Sequence, residues 1–425
     1  MDAALAPPLA LGVDLGSSGL RICLVEPGGA KLVEETSSYP SRLENPWSWV
    51  DGLELLCTRL PSGLRSRVGA IAIAGTSGTL LLCRADGQPG PGALGLALAY
   101  HHCCTEQAAA AAALAGGGPA ASASGSLARA LRLLAQAEHS AETGPWLLRH
   151  QADWLMGWLL GDWRWGEEGN NLRLGWDLQR ERWNGAIAEQ PWSGALPQIC
   201  ASGQLLGPLA PAAAAALGLP PSTRVVAGST DANASVLAAE PRSGDGITVL
   251  GTTLVIKQFS PKPIEGAGIS CHRVAGRWLV GGASNAGAGI LRRFFSDRQI
   301  AELSRQIDPS EPTGLQLRPL PARGERFPVD DPNLEPVLEP RPVSDGRYLQ
   351  ALLEGLTAIE QQGWQRLRQA GAPPLERVIS LGGGARNPQW RQLRQQSLMV
   401  PVLNRPGLTA ALGMARLAAT ILPLP

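Results

Sequence analysis

The sequence predicts an α/β protein of more than one domain, and three observations carry that prediction. Short apolar runs rich in Val, Ile and Leu end in glycine turns, which is typical of buried strands. Helical patterns lie between these runs, so that strands and helices alternate along the chain. The chain has 425 residues, and because a domain usually takes about 100–200 residues, more than one domain is expected.

The predicted elements follow in a regular order. Five strand segments each run into a glycine turn: Leu9–Leu15, Ala70–Ala74, Arg224–Ala227, Ile247–Leu250 and Val378–Leu381. The segments with helical patterns are Leu127–Glu138, Gln151–Leu160, Tyr348–Ala370 and Leu408–Leu422.

Two segments of similar form indicate two related halves. Leu11–Val25 and Thr248–Phe259 both consist of an apolar strand, a glycine, two small hydroxyl residues and a second apolar strand, as in a β-hairpin. They lie about half the chain apart. Pro, Gly and charged residues interrupt the pattern at Glu240–Asp245. We therefore predict an N-terminal domain of residues 1–240 and a C-terminal domain of residues 241–425.

Charge and composition exclude several classes of protein. The 37 basic and 36 acidic residues leave a net charge of +1, which gives no electrostatic basis for binding nucleic acid or a membrane surface. The chain has no basic N-terminal flank of the kind found in signal peptides, and no apolar run of about 18 residues. The seven cysteines are odd in number and irregularly spaced, which is typical of a reducing compartment. We expect a cytoplasmic protein.

The hydroxyl-bearing turns of the two hairpins have the composition of phosphate-binding turns. They are Gly16–Gly19 (GSSG) and Gly251–Thr253 (GTT). A tight glycine turn exposes backbone N–H groups, and the Ser and Thr hydroxyls add donors. Two such turns facing each other would hold a triphosphate. The alternative is that each is an ordinary hairpin turn.

Two aspartates lie at strand ends in separate segments. Asp14 sits inside an apolar strand, where an unpaired carboxylate is unfavourable. Asp231 follows a glycine turn and opens a helix of small residues. Taken alone, Asp231 is also interpretable as a helix N-cap. Together the pair suits a Mg²⁺-nucleotide site, with one carboxylate as a general base toward a hydroxyl.

A third glycine-rich segment, Gly382–Gly384, follows a strand and precedes a helix. Consecutive glycines let a planar ligand approach the backbone closely. Asn387 and Trp390 lie one turn apart on that helix, where they are placed to hydrogen-bond to a base and to stack on it. The alternative is a strand-to-helix loop with Trp390 in the core.

Three other kinds of site are excluded: a P-loop, a dinucleotide-binding motif and a Cys/His metal site. The chain has no G-x-x-x-x-G-K-[ST] sequence and is therefore not a P-loop NTPase. Gly90–Gly95 matches G-x-G-x-x-G but contains Pro and lacks the acidic residue expected about 20 positions later. His101–Cys104 are four adjacent residues, which cannot converge on one metal ion.

The motifs in their order resemble those of the FGGY carbohydrate kinases. The segments that carry the resemblance are Asp14–Arg21, Gly228–Asp231, Leu250–Thr253, Gly281–Asn285 and Gly382–Asn387. Within that family the chain is similar to the compact cyanobacterial and plant-plastid branch, in which the sequences at 73–79, 151–155 and 323–328 recur. That branch is associated with D-ribulose kinase activity, and D-xylulose is the related alternative.

The resemblance implies a fold and a set of roles. The fold is a pair of actin-like (RNase H-like, ASKHA) α/β domains with ATP and sugar in a cleft between them. Asp231 would be the general base, Asp14 would orient the sugar and Mg²⁺, and Ser77 would contact the sugar. The remaining residues would bind the nucleotide: Ser17, Ser18, Gly19 and Arg21 in the first phosphate hairpin, Gly251, Thr252 and Thr253 in the second, and Gly383, Gly384, Asn387 and Trp390 around the adenosine.

The chain departs from the family pattern near the expected sugar site. The Arg, Trp and acidic cluster of larger family members is absent, and Tyr100 and His101 occupy that region. Ala74 stands where compact relatives often have Asp. The sequence therefore predicts an ATP-dependent ketopentose kinase, with D-ribulose as the expected sugar and another polyol as the alternative. Two rivals of other classes are a catalytically silent sugar-binding protein and an actin-like ATPase.

Overall fold

The computed structural model describes residues 6–140 and 144–423. By their contacts these residues form two compact units. Unit 1 contains the described residues up to Ala238, the short segment Arg273–Gly276 and the described residues from Thr409 onward. Unit 2 contains Ala239–His272 and Arg277–Leu408. The division by contacts thus differs from the predicted division at residues 240/241, because the last helix packs in unit 1. The functional boundary at 240/241 stays a prediction.

The helices and strands are as follows. The strands are β1 (Leu9–Leu15), β2 (Gly19–Val25), β3 (Lys31–Ser38), β4 (Val68–Gly75), β5 (Leu80–Cys83), β6 (Leu147–His150), β7 (Trp165–Glu167), β8 (Trp176–Asp177), β9 (Arg182–Trp183), β10 (Gln198–Cys200), β11 (Leu205–Pro208), β12 (Arg224–Thr230), β13 (Asp245–Leu250), β14 (Leu254–Ser260), β15 (Ile269–Val274), β16 (Arg277–Ala283), β17 (Arg377–Leu381) and β18 (Val402–Asn404). The helices are α1 (Pro46–Arg59), α2 (Ser62–Arg65), α3 (Ala108–Ala115), α4 (Ser126–Glu138), α5 (Gln151–Leu160), α6 (Glu168–Asn171), α7 (Gly185–Ala188), α8 (Pro211–Leu217), α9 (Asp231–Ala238), α10 (Asp297–Ser304), α11 (Asp345–Gln369), α12 (Pro388–Leu398) and α13 (Ala410–Ala419).

Each unit is built on a six-stranded mixed sheet, and the two sheets share the arrangement of their three central strands. In unit 1 the order is β11-β12-β4-β1-β2-β3, and in unit 2 it is β15-β16-β14-β13-β17-β18. The first strand of each unit, β1 or β13, pairs antiparallel with the next strand in sequence and parallel with a later one, β4 or β17. The two predicted hairpins and the five predicted strands are confirmed. The shared arrangement of β2-β1-β4 and β14-β13-β17 also agrees with the expectation of two related halves.

Helix α13 is part of the unit 1 core although it comes last in sequence. It lies so close to β1 that a Cβ atom on Gly12 would come within 2.0 Å of the Ala411 carbonyl oxygen and 2.1 Å of the Ala415 nitrogen. On its other side, a Cβ on Gly413 would come within 1.8 Å of the Ala234 carbonyl oxygen in α9. Glycine at both positions permits this backbone-to-backbone packing.

Unit 2 has its own core under the long helix α11. The side chain of Ser344 caps the helix by accepting a hydrogen bond from the Arg347 N–H. Glu360 on α11 and Arg394 on α12 form a fully buried ion pair, and Arg394 also donates to the Ser380 hydroxyl at 2.6 Å. In the part of the chain that the structure describes, every helix is too short or too polar to span a bilayer.

Candidate functional site

The carboxyl ends of three parallel strands of unit 1 meet at one edge of its sheet. The register aligns Leu15 of β1 with Gly75 of β4, and Gly75 with Thr230 of β12. Asp14 is the residue before the end of β1, Ser77 is two residues beyond β4, and Asp231 directly follows β12. The structure therefore brings three of the predicted site residues to the same edge, where ligands of open α/β sheets usually bind.

The glycine of the Gly-Ser-Thr-Asp motif has a packing reason. The register between β12 and β4 shifts between Val226 and Ser229. At Gly228 a Cβ atom would come within 1.7 Å of the Ile73 carbonyl oxygen. Only glycine fits this close approach, which sets the direction in which Thr230 and Asp231 leave the sheet.

Asp14 is half-buried, and its carboxylate has unmet hydrogen-bonding capacity. Its Oδ1 atom is enclosed and has no hydrogen-bond partner among the described residues. Burial, and next the charge of Asp231, raise the pKa of Asp14 to about 7. The charge of Arg21, which faces Asp14 across the β1–β2 ladder, opposes this shift. A carboxylate of this kind is typical of a functional site rather than of a structural strand position.

Asp231 begins helix α9, as predicted, and its side chain is half-buried. Its Oδ1 accepts a hydrogen bond from the adjacent Ala232 N–H at 2.7 Å. The bond typical of an N-cap comes instead from Thr230, whose hydroxyl accepts from the Asn233 N–H at 3.4 Å. Because Thr230 takes the capping position, the alternative interpretation of Asp231 as a plain N-cap is weakened.

The first hydroxyl-bearing turn is open to solvent at its tip. Ser17 and Ser18 are exposed, and the Gly16 N–H closes the turn on the Gly19 carbonyl oxygen at 2.9 Å. Gly19 lies against β3, where a Cβ atom would come within 2.1 Å of the Ser37 carbonyl oxygen. Arg21 follows on β2, with its Nε 3.8 Å from Glu34. The turn thus offers small hydroxyls next to the strand that carries Asp14.

The second turn, in unit 2, has the same form and a firmer support. The Gly251 N–H donates to the Thr253 carbonyl oxygen at 3.2 Å, and Thr252 at the tip is exposed. The Gly251 carbonyl accepts from the Ala288 N–H at 2.9 Å. Gly287 lies against the turn so closely that a Cβ there would come within 2.4 Å of the Thr252 carbonyl oxygen.

A cavity of about 670 Å³ in unit 2 adjoins this turn. Its lining includes six predicted nucleotide-binding residues: Gly251, Thr252, Gly383, Gly384, Asn387 and Trp390. Thr253 does not line it. The lining also includes Arg292, Asp297, Ser304 and Arg305 from α10 and its flanks, which the sequence did not reveal. A capping box of Ser296 and Gln299 marks the start of α10. That signal predicts a helix but not what the helix faces.

The side chains of Trp390 and Asn387 contact protein groups, whereas the sequence predicted that they contact a base. The Trp390 side chain is 1% exposed, and its indole Nε1 donates to the Thr357 hydroxyl at 3.1 Å. Asn387 caps α12 by accepting from the Trp390 N–H at 3.0 Å, and its Nδ2 donates to Ser304 Oγ at 2.8 Å. Both side chains support the wall of the cavity, as in the alternative interpretation. Their predicted contacts with a base stay predictions.

Several buried residues of unit 1 surround the Ser77 loop, and of these only Arg129 lies outside the segments that carry the family resemblance. The Arg129 guanidinium donates to the carbonyl oxygens of Gly78 and Ser124, each at 3.0 Å. Burial lowers the pKa of Arg129 to about 10. Thr76 and Gln151 are also buried and hydrogen-bonded to each other.

The donor set of unit 1 fits a magnesium ion that keeps much of its water. Asp14 and Asp231 supply two carboxylates, and Asp14 Oδ1 has no other partner among the described residues. Within residues 6–140 and 144–423, no group of three or more His, Cys, Asp or Glu side chains is arranged to hold a metal. Mg²⁺ usually takes only one or two carboxylates and completes its shell with water and phosphate oxygens.

Comparison with known proteins gives a consistent family. Residues 246–422 match the profile of the FGGY family of carbohydrate kinases, C-terminal domain. The chain is 27% identical to the xylulose kinase of Bacillus subtilis (strain 168) over 260 residues, which are 57% of this chain and 51% of that protein. It is 26% identical to the gluconokinase of the same organism over 246 residues, which are 52% of this chain and 47% of that protein. The chain spans about half the length of these curated relatives.

Solved structures show the same fold over nearly the whole chain. The xyloylose kinase of Brucella ovis superposes with a TM-score of 0.81 at 21% identity, covering 97% of this chain and 90% of that one. The gluconate kinase of Lactobacillus acidophilus gives a TM-score of 0.80 at 15% identity, covering 97% and 89%. The two α/β units therefore form the actin-like two-domain fold of these sugar kinases. The profile match, the aligned relatives and the fold agree, and residues 246–422 form a C-terminal domain of the FGGY family of carbohydrate kinases.

Proposed function

We propose that this protein is an ATP-dependent sugar kinase that transfers the γ-phosphoryl group of ATP to a primary hydroxyl of a ketopentose, with D-ribulose as the expected substrate. The observation that carries the proposal is the enclosed carboxylate of Asp14 beside Asp231 at the edge of the unit 1 sheet. Two neighbouring carboxylates at strand ends, one with an unsatisfied oxygen, suit phosphoryl transfer to a hydroxyl.

Asp231 is the proposed general base. It is half-buried at the N-terminus of α9, where the helix dipole favours the charged carboxylate. A base in this position accepts the proton of the sugar hydroxyl as the new O–P bond forms. Asp14 orients the acceptor, and Ser77, half-buried beyond β4, donates to or accepts from a sugar hydroxyl.

The phosphate and nucleotide roles follow the two turns and the cavity. Ser17 and Ser18 in unit 1, and Thr252 in unit 2, are exposed at the tips of glycine turns. Backbone N–H groups and hydroxyls in such turns bind phosphate oxygens. The 670 Å³ cavity of unit 2 is within the size range of small-molecule sites, and we assign it to the nucleoside of ATP. Mg²⁺, when held by Asp14 and Asp231, would neutralise phosphate charge.

The identity of the sugar rests on the resemblance to compact family members. The motifs at 73–79, 151–155 and 323–328 favour D-ribulose. A second candidate, D-xylulose, is favoured by the matches to proteins named as xylulose kinases. The matched relatives also include proteins named as gluconokinases and L-fuculokinases, so the same chemistry serves several sugars among them.

A coupled assay of ADP release tests the proposal directly. Mg-ATP is supplied with D-ribulose, D-xylulose, L-ribulose, glycerol or no sugar. ADP release that requires D-ribulose is the expected result. Turnover with D-xylulose or another polyol would support the kinase reaction but would replace D-ribulose as the proposed substrate. ADP release independent of sugar would support an actin-like ATPase, and absence of release would support a silent sugar-binding protein. We propose a cytoplasmic setting for the reaction, since ATP is abundant there.

A further inference from the structure

A chain of buried hydrogen bonds connects the first phosphate turn to the loop that carries Ser77. The Tyr39 hydroxyl donates to the Gly16 carbonyl oxygen at 2.7 Å. Gln151 Nε2 donates to the Tyr39 hydroxyl at 3.2 Å, and Gln151 Oε1 accepts from the Thr76 hydroxyl at 2.7 Å. Thr76 and Thr79 hydroxyls are 2.6 Å apart. Tyr39, Gln151, Thr76 and Thr79 are all buried, and all lie in unit 1.

The donors along this chain all point in one direction. Because the Gly16 carbonyl only accepts, Tyr39 must donate to it and accept from Gln151. Gln151 therefore turns its amide NH₂ toward Tyr39 and its oxygen toward Thr76, where that oxygen also accepts the Thr76 N–H at 3.1 Å. The Thr76 proton is then used on Gln151, so Thr79 donates to Thr76. Hydrogen bonds aligned in this way in a buried site strengthen one another.

The Gly16 end of this chain of hydrogen bonds orients a backbone N–H group that can donate a hydrogen bond to phosphate. In a trans peptide the C=O and N–H groups point in opposite directions. A carbonyl of Gly16 held by Tyr39 therefore fixes the Ser17 N–H on the opposite side of that peptide plane. Burial, with a smaller contribution from the charge of Asp14, raises the pKa of the Tyr39 hydroxyl further above its usual range. Tyr39 thus keeps the proton that it donates to Gly16.

The other end of this chain of hydrogen bonds orients the loop that carries Ser77, the proposed sugar-binding residue. The Thr76 N–H is fixed by Gln151, and Thr79 Oγ1 accepts the Tyr100 N–H at 3.1 Å. Ser77 lies between these two threonines. The orientation of its loop and that of the first phosphate turn are therefore linked through the side chain of one residue, Gln151, which is fully buried.

We propose that Tyr39, Gln151 and Thr76 are positioning residues that couple the phosphate turn Gly16–Gly19 to the acceptor loop Gly75–Thr79, so that the donor and acceptor groups of unit 1 keep one mutual geometry. The mechanistic meaning rests on the proposed kinase function. The coupling itself is a property of the fold and is measurable without turnover.

The experiment uses the full chain and compares Tyr39→Phe, Gln151→Met and their double variant with a matched control. In unit 2 the buried Tyr348 hydroxyl also donates to a backbone carbonyl, that of Leu338 at 3.0 Å. Tyr348→Phe therefore removes the same kind of bond away from the chain. Thr76→Val and Thr76→Ser form a second pair, in which only serine keeps the hydroxyl.

Amide hydrogen exchange measures the coupling. Tyr39→Phe is expected to raise exchange in the loop 75–79, with which its lost hydroxyl has no direct bond, and Thr76→Val is expected to raise exchange in the turn 16–19. Tyr348→Phe and Thr76→Ser should leave both segments at wild-type rates. Equal rates in wild type and Tyr39→Phe at 75–79, together with equal rates in wild type and Thr76→Val at 16–19, would overturn the inference.

Kinetics with the active sugar measures the consequence. Tyr39→Phe and Gln151→Met are each expected to lower kcat by about tenfold or more, since small misplacements of reacting groups are costly. The double variant should be no slower than the slower single variant, because both break one chain. Additive losses, or an equal loss in Tyr348→Phe, would contradict the proposal. A wild type without sugar-dependent transfer would refute the kinase function alone, and exchange would still decide the coupling.

Discussion

Asp14 and Asp231 are both aspartates at strand ends, but their surroundings differ. Asp14 is half-buried on a strand, its enclosed Oδ1 has no partner among the described residues, and burial and Asp231 raise its pKa to about 7. Asp231 stands at the start of a helix and is half-buried. A carboxylate whose pKa is raised like that of Asp14 is typical of a functional site.

Replacing Asp231 tests its role as the base. We expect Asp231→Ala to keep ATP affinity and to lose more than about 100-fold in kcat, the usual scale for a positioned base. Asp231→Asn, which keeps the shape and removes the base, should lose a similar factor. Calorimetric ATP titration and the coupled assay measure the two quantities. Turnover at the wild-type rate in either variant would refute the assignment.

The buried carboxyl of Glu167 makes the free energy of unfolding depend on pH. Burial is the main cause that raises the pKa of Glu167 well above its ordinary value of 4.5, against hydrogen bonds from the backbone. A raised native pKa means that the folded state binds the proton more tightly than the unfolded state. The stabilisation is therefore present below the ordinary pKa and is lost as the pH rises through the native pKa.

We expect Glu167→Gln to gain stability relative to wild type as the pH rises from about 5 to 8, because glutamine has no proton to lose. Its Oε can still accept the Asn170 N–H that Glu167 Oε2 accepts at 2.8 Å. Melting temperatures across this pH range give the measurement. Glu189→Gln, at an exposed carboxylate of the same unit, is the control. A difference in melting temperature that does not vary with pH would contradict the prediction.

At the scale of elements, the turns after strands decide where ligands can approach. The loop between β17 and α12 shows this residue by residue. Gly382 has a φ of +82°, a left-handed conformation that favours glycine. Gly384 lies over Trp390, so that a Cβ there would come within 2.6 Å of the indole ring. At Gly383 a Cβ would meet no protein atom within 4 Å, although the residue lines the cavity.

This difference predicts separate effects of two alanine substitutions. Gly384→Ala should lower the melting temperature, because the indole ring or the turn must move. Gly383→Ala should leave the melting temperature unchanged and weaken ATP binding by about tenfold if the base lies on this backbone, a loss of about 1.4 kcal/mol. The control is Gly407→Ala. A Cβ at this position meets no protein atom within 4 Å, and the residue does not line the cavity. Unchanged ATP affinity in Gly383→Ala would remove the nucleoside from this loop.

At the scale of the whole molecule, the fold is assembled from distant parts of the sequence. Helix α13, at residues 410–419, completes unit 1 by packing on β1 at residues 9–15. The two units repeat one arrangement of three central strands, and each places a glycine turn after its first strand. The proposed nucleotide and acceptor roles are divided accordingly, with the cavity in unit 2 and the two carboxylates in unit 1.

The contact between α13 and β1 is open to a direct test. Gly12→Ala should destabilise unit 1 by at least about 1–3 kcal/mol, because its Cβ would meet backbone atoms at 2.0–2.1 Å that have no room to yield. Gly28→Ala, where a Cβ meets nothing within 4 Å, is the matched control in the same unit. Chemical denaturation of both variants gives the comparison. Equal stability of the two would mean that α13 does not pack on β1 as described.

The sequence by itself determined the local elements and predicted a set of site residues. Apolar runs ending at glycine identified β1, β4, β12, β13 and β17, and Asp14 and Asp231 were proposed from their positions at the ends of such runs, whereas Ser77 was proposed from the family resemblance. Such patterns depend on neighbours a few residues away, which the sequence displays directly. The hydroxyl turns of both hairpins were predictable for the same reason.

Only the tertiary structure decided what each residue faces. It buried Trp390 in the core, placed α13 in unit 1, added α10 to the cavity wall and aligned Tyr39, Gln151 and Thr76 in one chain. Tyr39 and Gln151 are 112 residues apart, and no local pattern encodes that contact. Contacts of this kind arise from the packing of whole elements, because a buried polar group must find its partner wherever the fold brings one.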